Sequence, residues 1–194
     1  MPRLSTLLAT LLSAALGASA MAQDVLGGDQ GLACQAILCL ATGSPPAQCA
    51  PALSRFYGIS YMYWADTLQG RINFLNLCPV AAMTPAMRSL TQAMANGAGR
   101  CDADALNATL LFSYSSNVGR NPQEHSYIDN HAPDYCTAYT SHPYTDLHSL
   151  QPLYVGDPLR GGHWASPANY SQELAAYQAR IAAEDQAARQ ASGD

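Results

Sequence analysis

The sequence predicts an all-α fold: a small, disulfide-stapled helical domain with a long irregular Tyr/His-rich loop region and a C-terminal helix. Three observations support this. Apolar residues recur at helical spacing between Ser60 and Leu77. Helix-starting pairs such as Thr84-Pro85 and Ser166-Pro167 punctuate the chain. Six cysteines follow an N-terminal export signal.

The export signal comes first in the chain. Arg3 supplies a positive start, and Leu4 to Leu16 is apolar apart from Ser5, Thr6, Thr10 and Ser13. That stretch is too short to cross ~30 Å of hydrocarbon, which needs ~20 apolar residues. Two small-x-small sites follow, Ala18-Ser19-Ala20 and Ala20-Met21-Ala22. The second stands at the change of polarity, so cleavage is expected after Ala22, making residues 1–22 a signal peptide. No cysteine occupies the cleavage position, so no lipid anchor is expected, and no membrane span follows cleavage. Residues 23–32, rich in Gly and Asp, read as a flexible leader.

Residues 33–194 are expected to form a single helical domain. Removing 22 residues from 194 leaves 172, enough for one domain with a real core. Losing Arg3 takes the formal net charge from −5 to −6, and the chain contains no lysine. An acidic chain without a basic stretch lacks the phosphate contacts that supply most non-specific nucleic-acid affinity. A direct nucleic-acid partner is therefore not expected.

The cysteines are Cys34, Cys39, Cys49, Cys78, Cys101 and Cys136. An even count in an exported chain points to three structural disulfides, with 15 conceivable connectivities. No pair has the C-x2-C spacing of zinc sites or of thioredoxin-type redox centres. If Cys34 and Cys39 share a helix, their Cα atoms stand roughly 8.5 Å apart, beyond the ~7 Å limit for a bridge. Each must then pair elsewhere. Cys39 with Cys49 across a helical hairpin, Cys34 with Cys78 and Cys101 with Cys136 meets that condition, although the spacing does not single it out. Each bridge is worth about 2–4 kcal/mol.

The elements follow in order. Ala33 to Ala41 reads as a short buried helix, broken by Gly43-Ser44-Pro45-Pro46. Pro51 starts a helix that Gly58 closes after Tyr57. Ser60 is expected to cap a longer segment reaching Leu77, with Trp64, Leu68, Ile72 and Leu75 on one face. Pro79 stops it. Thr84-Pro85 begins a helix through Ala95, ended by Asn96-Gly97. Asp102 caps another carrying Leu106, Leu110 and Leu111. From 113 to 165, Pro, Gly, Asn, Tyr and His dominate and no period persists, so this stretch is read as an irregular loop region. A last helix is expected over 166–191. Its Ala/Gln/Glu-rich end is expected to fray or to meet a partner.

Candidate chemistry is sparse. Glu124, His125, Asp129, His131, Asp134, His142, Asp146, His148 and His163 place all five histidines and several acids in one stretch. Imidazole and carboxylate are ordinary zinc ligands, but no H-E-x-x-H or comparable spacing occurs. These are expected to be polar loop residues, with no metal and no cofactor. G-x-S-x-G is absent, and a cysteine nucleophile would need a free thiol among six paired ones. Asp66 and Glu173 are the nearest candidates for a two-carboxylate hydrolase, and both read more simply as helix-surface residues. No catalytic residue is assigned, and the protein is not expected to be an enzyme. The 11 tyrosines include Tyr57, Tyr61 and Tyr63 close together, and Tyr127, Tyr135, Tyr139, Tyr144 and Tyr154 further on. Tyrosine packs while keeping a polar tip, which suits a protein interface. The plainer alternative is that tyrosine stands in for phenylalanine, of which there are only three.

Several first-half segments combine. Cys34-Gln-Ala-Ile-Leu-Cys39-Leu is followed by Gly43-Ser-Pro-Pro-Ala-Gln-Cys49-Ala-Pro51-Ala-Leu53. Phe56-Tyr57-Gly-Ile and Arg71-Ile-Asn-Phe-Leu-Asn-Leu-Cys78-Pro79 complete the set. Together they resemble the TrbM/KikA family of conjugal transfer proteins, over residues 33 to 80. The resemblance implies a periplasmic accessory protein of plasmid conjugation, acting among the mating-pair-formation components of a type IV secretion system. Its implied partners are protein components of that apparatus. It implies no activity and no cofactor, and transfers only the cysteines and the apolar positions around them. Two rival expectations are a periplasmic peptidoglycan hydrolase and an exported inhibitor or effector.

Overall fold

The computed structural model describes residues 27–116 and 123–193. The signal peptide read at 1–22 and the start of the leader lie outside the described residues. Helix α1 runs Gly28–Leu40, so Gly28 to Leu32, expected as leader, are already helical. It buries Ala33, Ala36, Ile37, Cys39 and Leu40 on the side facing the other helices. Helix α2, Ala50–Tyr57, has Pro51 in its first turn, and the N–H of Gly58 donates to Ser54 O at 2.9 Å to close it.

Helix α3 covers Trp64–Leu75 and does not begin at Ser60. The cause is Thr67. Its hydroxyl oxygen accepts from the N–H of Tyr61 at 2.8 Å, which holds 61–63 out of the helix, with Tyr63 extended ahead of the first turn. Helix α4, Pro85–Gly97, has the expected start: Thr84 Oγ1 accepts from the N–H of Met87 at 3.1 Å. Replacing Thr84 with alanine is expected to cost about 1 kcal/mol, read as a lower urea midpoint with unchanged slope. In α5, Ala103–Thr109, Asp102 Oδ1 accepts from the N–H of Ala105 at 2.9 Å.

The main core gathers Ala33, Ala36 and Leu40 of α1, Phe56 of α2, Phe74 and Leu75 of α3, and Leu90 and Met94 of α4. Small residues at the contacts let these helices approach closely. A second cluster forms around Leu106, Leu110, Trp164 and the Cys101–Cys136 bridge. The bridges are Cys34–Cys78, Cys39–Cys49 and Cys101–Cys136, with Cα separations of 4.8, 5.7 and 5.4 Å. Each joins different elements, as the five-residue spacing of Cys34 and Cys39 requires.

The all-α expectation is overturned. Besides seven helices, the described residues contain two antiparallel two-stranded sheets, so the fold is mixed. Strand β1, Leu111–Ser116, pairs with β2, Gln123–Ile128, in the register Phe112↔Tyr127 and Tyr114↔His125. Strand β3, Leu153–Val155, pairs with β4, His163–Ala165. Helix α6, Asp134–Thr140, lies between the hairpins. The stretch 113–165 is therefore not one irregular loop region.

The physical reason is local in one hairpin and tertiary in the other. Phe112-Ser113-Tyr114-Ser115 alternates bulky and small residues, a period-two pattern too short and too exposed to announce itself. Phe112 stacks on Tyr127 with ring centroids 5.6 Å apart, and Tyr114 on His125 at 5.3 Å. Strand β4 is instead held from a distance. The amide of Asn107 donates to Trp164 O at 2.8 Å and accepts from Trp164 N at 2.7 Å, as a neighbouring strand would.

The last helix, α7, runs Tyr170–Ser192, and none of its residues is buried. Polar contacts dock it. Tyr177 Oη accepts from the N–H of Asp157 at 2.9 Å, and Arg180 donates to Arg160 O at 2.7 Å. Gly156, at φ +80°, lies under the Tyr177 ring, where a Cβ would come within 2.2 Å of Cζ.

Candidate interaction surface

The His/acid residues singled out in the sequence do not converge. Glu124 and His125 lie on β2 and bond across the hairpin to Ser115 and Ser116. Asp129 accepts from His131 at 2.8 Å, and that hydrogen bond holds its carboxyl below the usual range. Asp146 ties the loop after α1 by accepting from Gly43 N at 2.9 Å and Thr42 Oγ1 at 3.1 Å. His142 accepts from Tyr144 N at 3.2 Å, and His163 meets Glu173 at 2.8 Å. Asp134 opens α6 and His148 opens a short 3₁₀ turn. Among the described residues, no three His, Cys, Asp or Glu side chains come close enough to hold a metal ion. Asp66 lies in the first turn of α3, exposed and far along the chain from Glu173, which is engaged by His163. All six cysteines are bridged.

A groove of about 310 Å³ opens between α1, α2 and α6, with Leu40, Leu53, Tyr57, Tyr139 and Leu147 among its walls. Its polar groups are structural. Tyr139 donates its hydroxyl to Leu40 O at 2.5 Å, and burial pushes that phenol well above its ordinary range. Asp102 is occupied in capping α5. The Tyr154 phenol, pushed up to about 12 mainly by burial, donates to Ile128 O at 2.6 Å and joins β3 to β2. Neither phenol is poised to exchange protons near neutral pH.

The features that stand out lie between α2 and α3. Tyr61, Met62 and Tyr63 are 59%, 89% and 68% exposed, and Trp64 adds a partly exposed indole. Four successive bulky residues at the surface are an unusual use of apolar area. They are not loose. The Thr67 hydroxyl clamps Tyr61, and the Tyr61 ring lies over Gly70, where a Cβ would approach Cε2 to 2.9 Å. A shallow groove lined by Ile59, Asn73, Phe74 and Leu77 runs beside it. Pre-ordered aromatic side chains cost little further entropy on binding, the property of interface anchors.

Beneath the ridge is a stack of alternating rings and cations. Arg100 sits between Trp64 and Tyr135, its guanidinium carbon 4.0 and 4.1 Å from the two ring centroids. Arg71 is enclosed by Phe56 at 4.8 Å, Trp64 at 5.5 Å and Tyr57 at 5.7 Å. Burial lowers the Arg71 pKa from its ordinary value; Tyr57 opposes this and the like charge of Arg100 adds to it. The stack fastens Trp64 and so sets the base of the ridge. Sequence reading noticed Tyr57, Tyr61 and Tyr63 but missed Arg71 and Arg100. The two arginines lie 29 residues apart, and nothing in a linear pattern pairs them.

No helix among the described residues is long and apolar enough to cross a membrane. No curated protein and no solved structure matches the chain. The TrbM family model matches residues 25–178, which takes in the ridge, the arginine stack and every bridge. With most of its length covered, the chain belongs to the TrbM family and is a protein of conjugal transfer.

Proposed function

We propose that this protein is a non-enzymatic, periplasmic accessory factor of conjugative DNA transfer. In this reading it supports a type IV secretion and mating-pair-formation apparatus by binding its protein components. The observation that carries the reading is the exposed ridge Tyr61-Met62-Tyr63 in a chain of a conjugal-transfer family. Export of the first 22 residues' cargo into an oxidising compartment agrees with three bridges and no free thiol.

The test is genetic and uses the intact plasmid. Substituting Tyr61→Ser together with Met62→Ser is expected to lower transfer frequency at least tenfold. The purified variant should stay folded with a melting temperature only slightly below the wild-type value, because Met62 is almost fully exposed and the Tyr61 ring rests only on the edge of α3. Deletion of the gene should lower transfer at least as much. Unchanged transfer by the deletion strain on both solid and liquid media would refute the reading.

A further inference from the structure

We propose that Arg71 and Arg100, both stacked on Trp64, form a carboxylate-binding site that receives an acidic side chain from an apolar segment of a partner protein. This rests on the interface reading above and names the chemistry of the occupant.

The first observation is missing charge compensation. Arg55, Arg160 and Arg180 each hold a carboxylate at 2.6 to 2.8 Å. Among the described residues, Arg71 and Arg100 have no such partner, although acids outnumber arginines 14 to 9. Asp66 and Asp134, next but one to Trp64 and adjacent to Tyr135 in sequence, form no ion pair with either. Arg88 and Arg189 are also unpaired, but they stand on helix surfaces away from any such stack.

The second observation is incomplete hydrogen bonding. Arg71 is only 8% exposed, yet its two bonds, to Ile59 O and Ala98 O, are both long at 3.4 Å. Its second terminal nitrogen has no acceptor among the described residues. Arg100 spends Nη1 on Asn96 O at 3.0 Å and Asn96 Oδ1 at 2.8 Å, which leaves Nε and Nη2 without one. On the far side of Arg100, the buried hydroxyl of Tyr135 has no hydrogen-bond partner among the described residues either. Stacking on rings offsets part of the cost of holding two like charges together, but it satisfies no N–H.

A carboxylate completes this arrangement. Its two oxygens accept from guanidinium N–H groups in a planar fork, and its charge neutralises the repulsion between the arginines. The bordering ridge of Tyr61, Met62 and Tyr63 asks for apolar side chains on either side of that acid. Charge complementarity and the apolar border together select an acidic residue between apolar ones in a partner protein.

The experiment titrates the full mature chain with the capped tripeptide acetyl-Leu-Glu-Leu-amide and follows the indole N–H signals of the two tryptophans. Trp64 lies in the site. Trp164, bonded to Asp129 O at 2.9 Å in the second cluster, serves as the internal control. Saturable movement of the Trp64 signal alone is expected. Acetyl-Leu-Gln-Leu-amide should bind at least tenfold more weakly. Arg100→Gln, which keeps most of the stem but removes the charge, should weaken the acidic peptide at least tenfold, and Arg100→Lys by less. Equal binding of the two peptides would overturn the proposal. So would unaltered binding by an Arg100→Gln chain whose Trp164 signal shows it folded. If that variant does not fold, Arg100→Lys binding the acidic peptide as weakly as the neutral one overturns it too. Inorganic phosphate that binds more tightly than the peptide would also overturn it, since the site would then belong to phosphate. Should peptide binding fail while Tyr61→Ser/Met62→Ser still abolishes transfer, only the carboxylate site falls and the interface stands.

Discussion

Replacing Cys34 and Cys78 together with serine is expected to lower the stability of the folded protein by about 4 kcal/mol. The bridge closes a loop of 44 residues, the longest of the three, and ties α1 to the turn that follows α3 at the edge of the main core. Cross-linking removes conformations from the unfolded chain, and more of them the longer the loop. By the same relation the 10-residue loop of Cys39–Cys49 is worth about 3 kcal/mol and the 35-residue loop of Cys101–Cys136 about 4 kcal/mol. Reversible urea unfolding of each double-serine variant measures these losses directly. The expected order puts Cys39/Cys49 last. If that pair cost most, loop closure would not be the main source of the stabilisation. Against a total of about 5–15 kcal/mol for an ordinary domain, losing the longest bridge brings the protein close to unfolding at 37 °C.

Phe56→Ala is expected to cost about 3–5 kcal/mol, the loss usual for emptying a fully buried aromatic site. Phe56 is wholly buried and meets Tyr57 edge-on at 5.2 Å. It also carries Arg71 on its face, so truncation leaves that guanidinium without one of its three rings. The substitution should therefore do more than shift the urea midpoint. Trp64 shares Arg71 with Phe56, and its fluorescence should change in the folded baseline before unfolding begins. A stability loss below about 1 kcal/mol would mean that α2 does not pack as described. An unaltered Trp64 baseline would mean that the stack is not mechanically continuous.

Local chemistry made much of the first half legible. Thr84 and Asp102 cap α4 and α5 because a short side-chain oxygen finds an N–H three residues on, whatever the rest of the fold does. Pro51 and Gly58 bound α2 for equally local reasons. Ser60 misled, because Thr67 competes for the same stretch of backbone and holds Tyr61 extended. The strands were harder. Two three-residue strands cannot show a period, and β4 exists through Asn107, 57 residues before Trp164 in the chain. The ridge was half legible. Its tyrosines stand together in the sequence, whereas the arginines that fasten Trp64 at its base come from α3 and from the turn after α4.

The sequence by itself determined the family, the cysteine framework and the helix boundaries that depend on caps and prolines. These rest on residue identity and short spacing. Only the tertiary structure decided that the fold is mixed, that the histidines and acids disperse, and that two arginines without a carboxylate among the described residues meet on one indole. Those outcomes depend on which distant backbone and side-chain groups satisfy one another once the chain has closed on itself, and no short-range pattern encodes that.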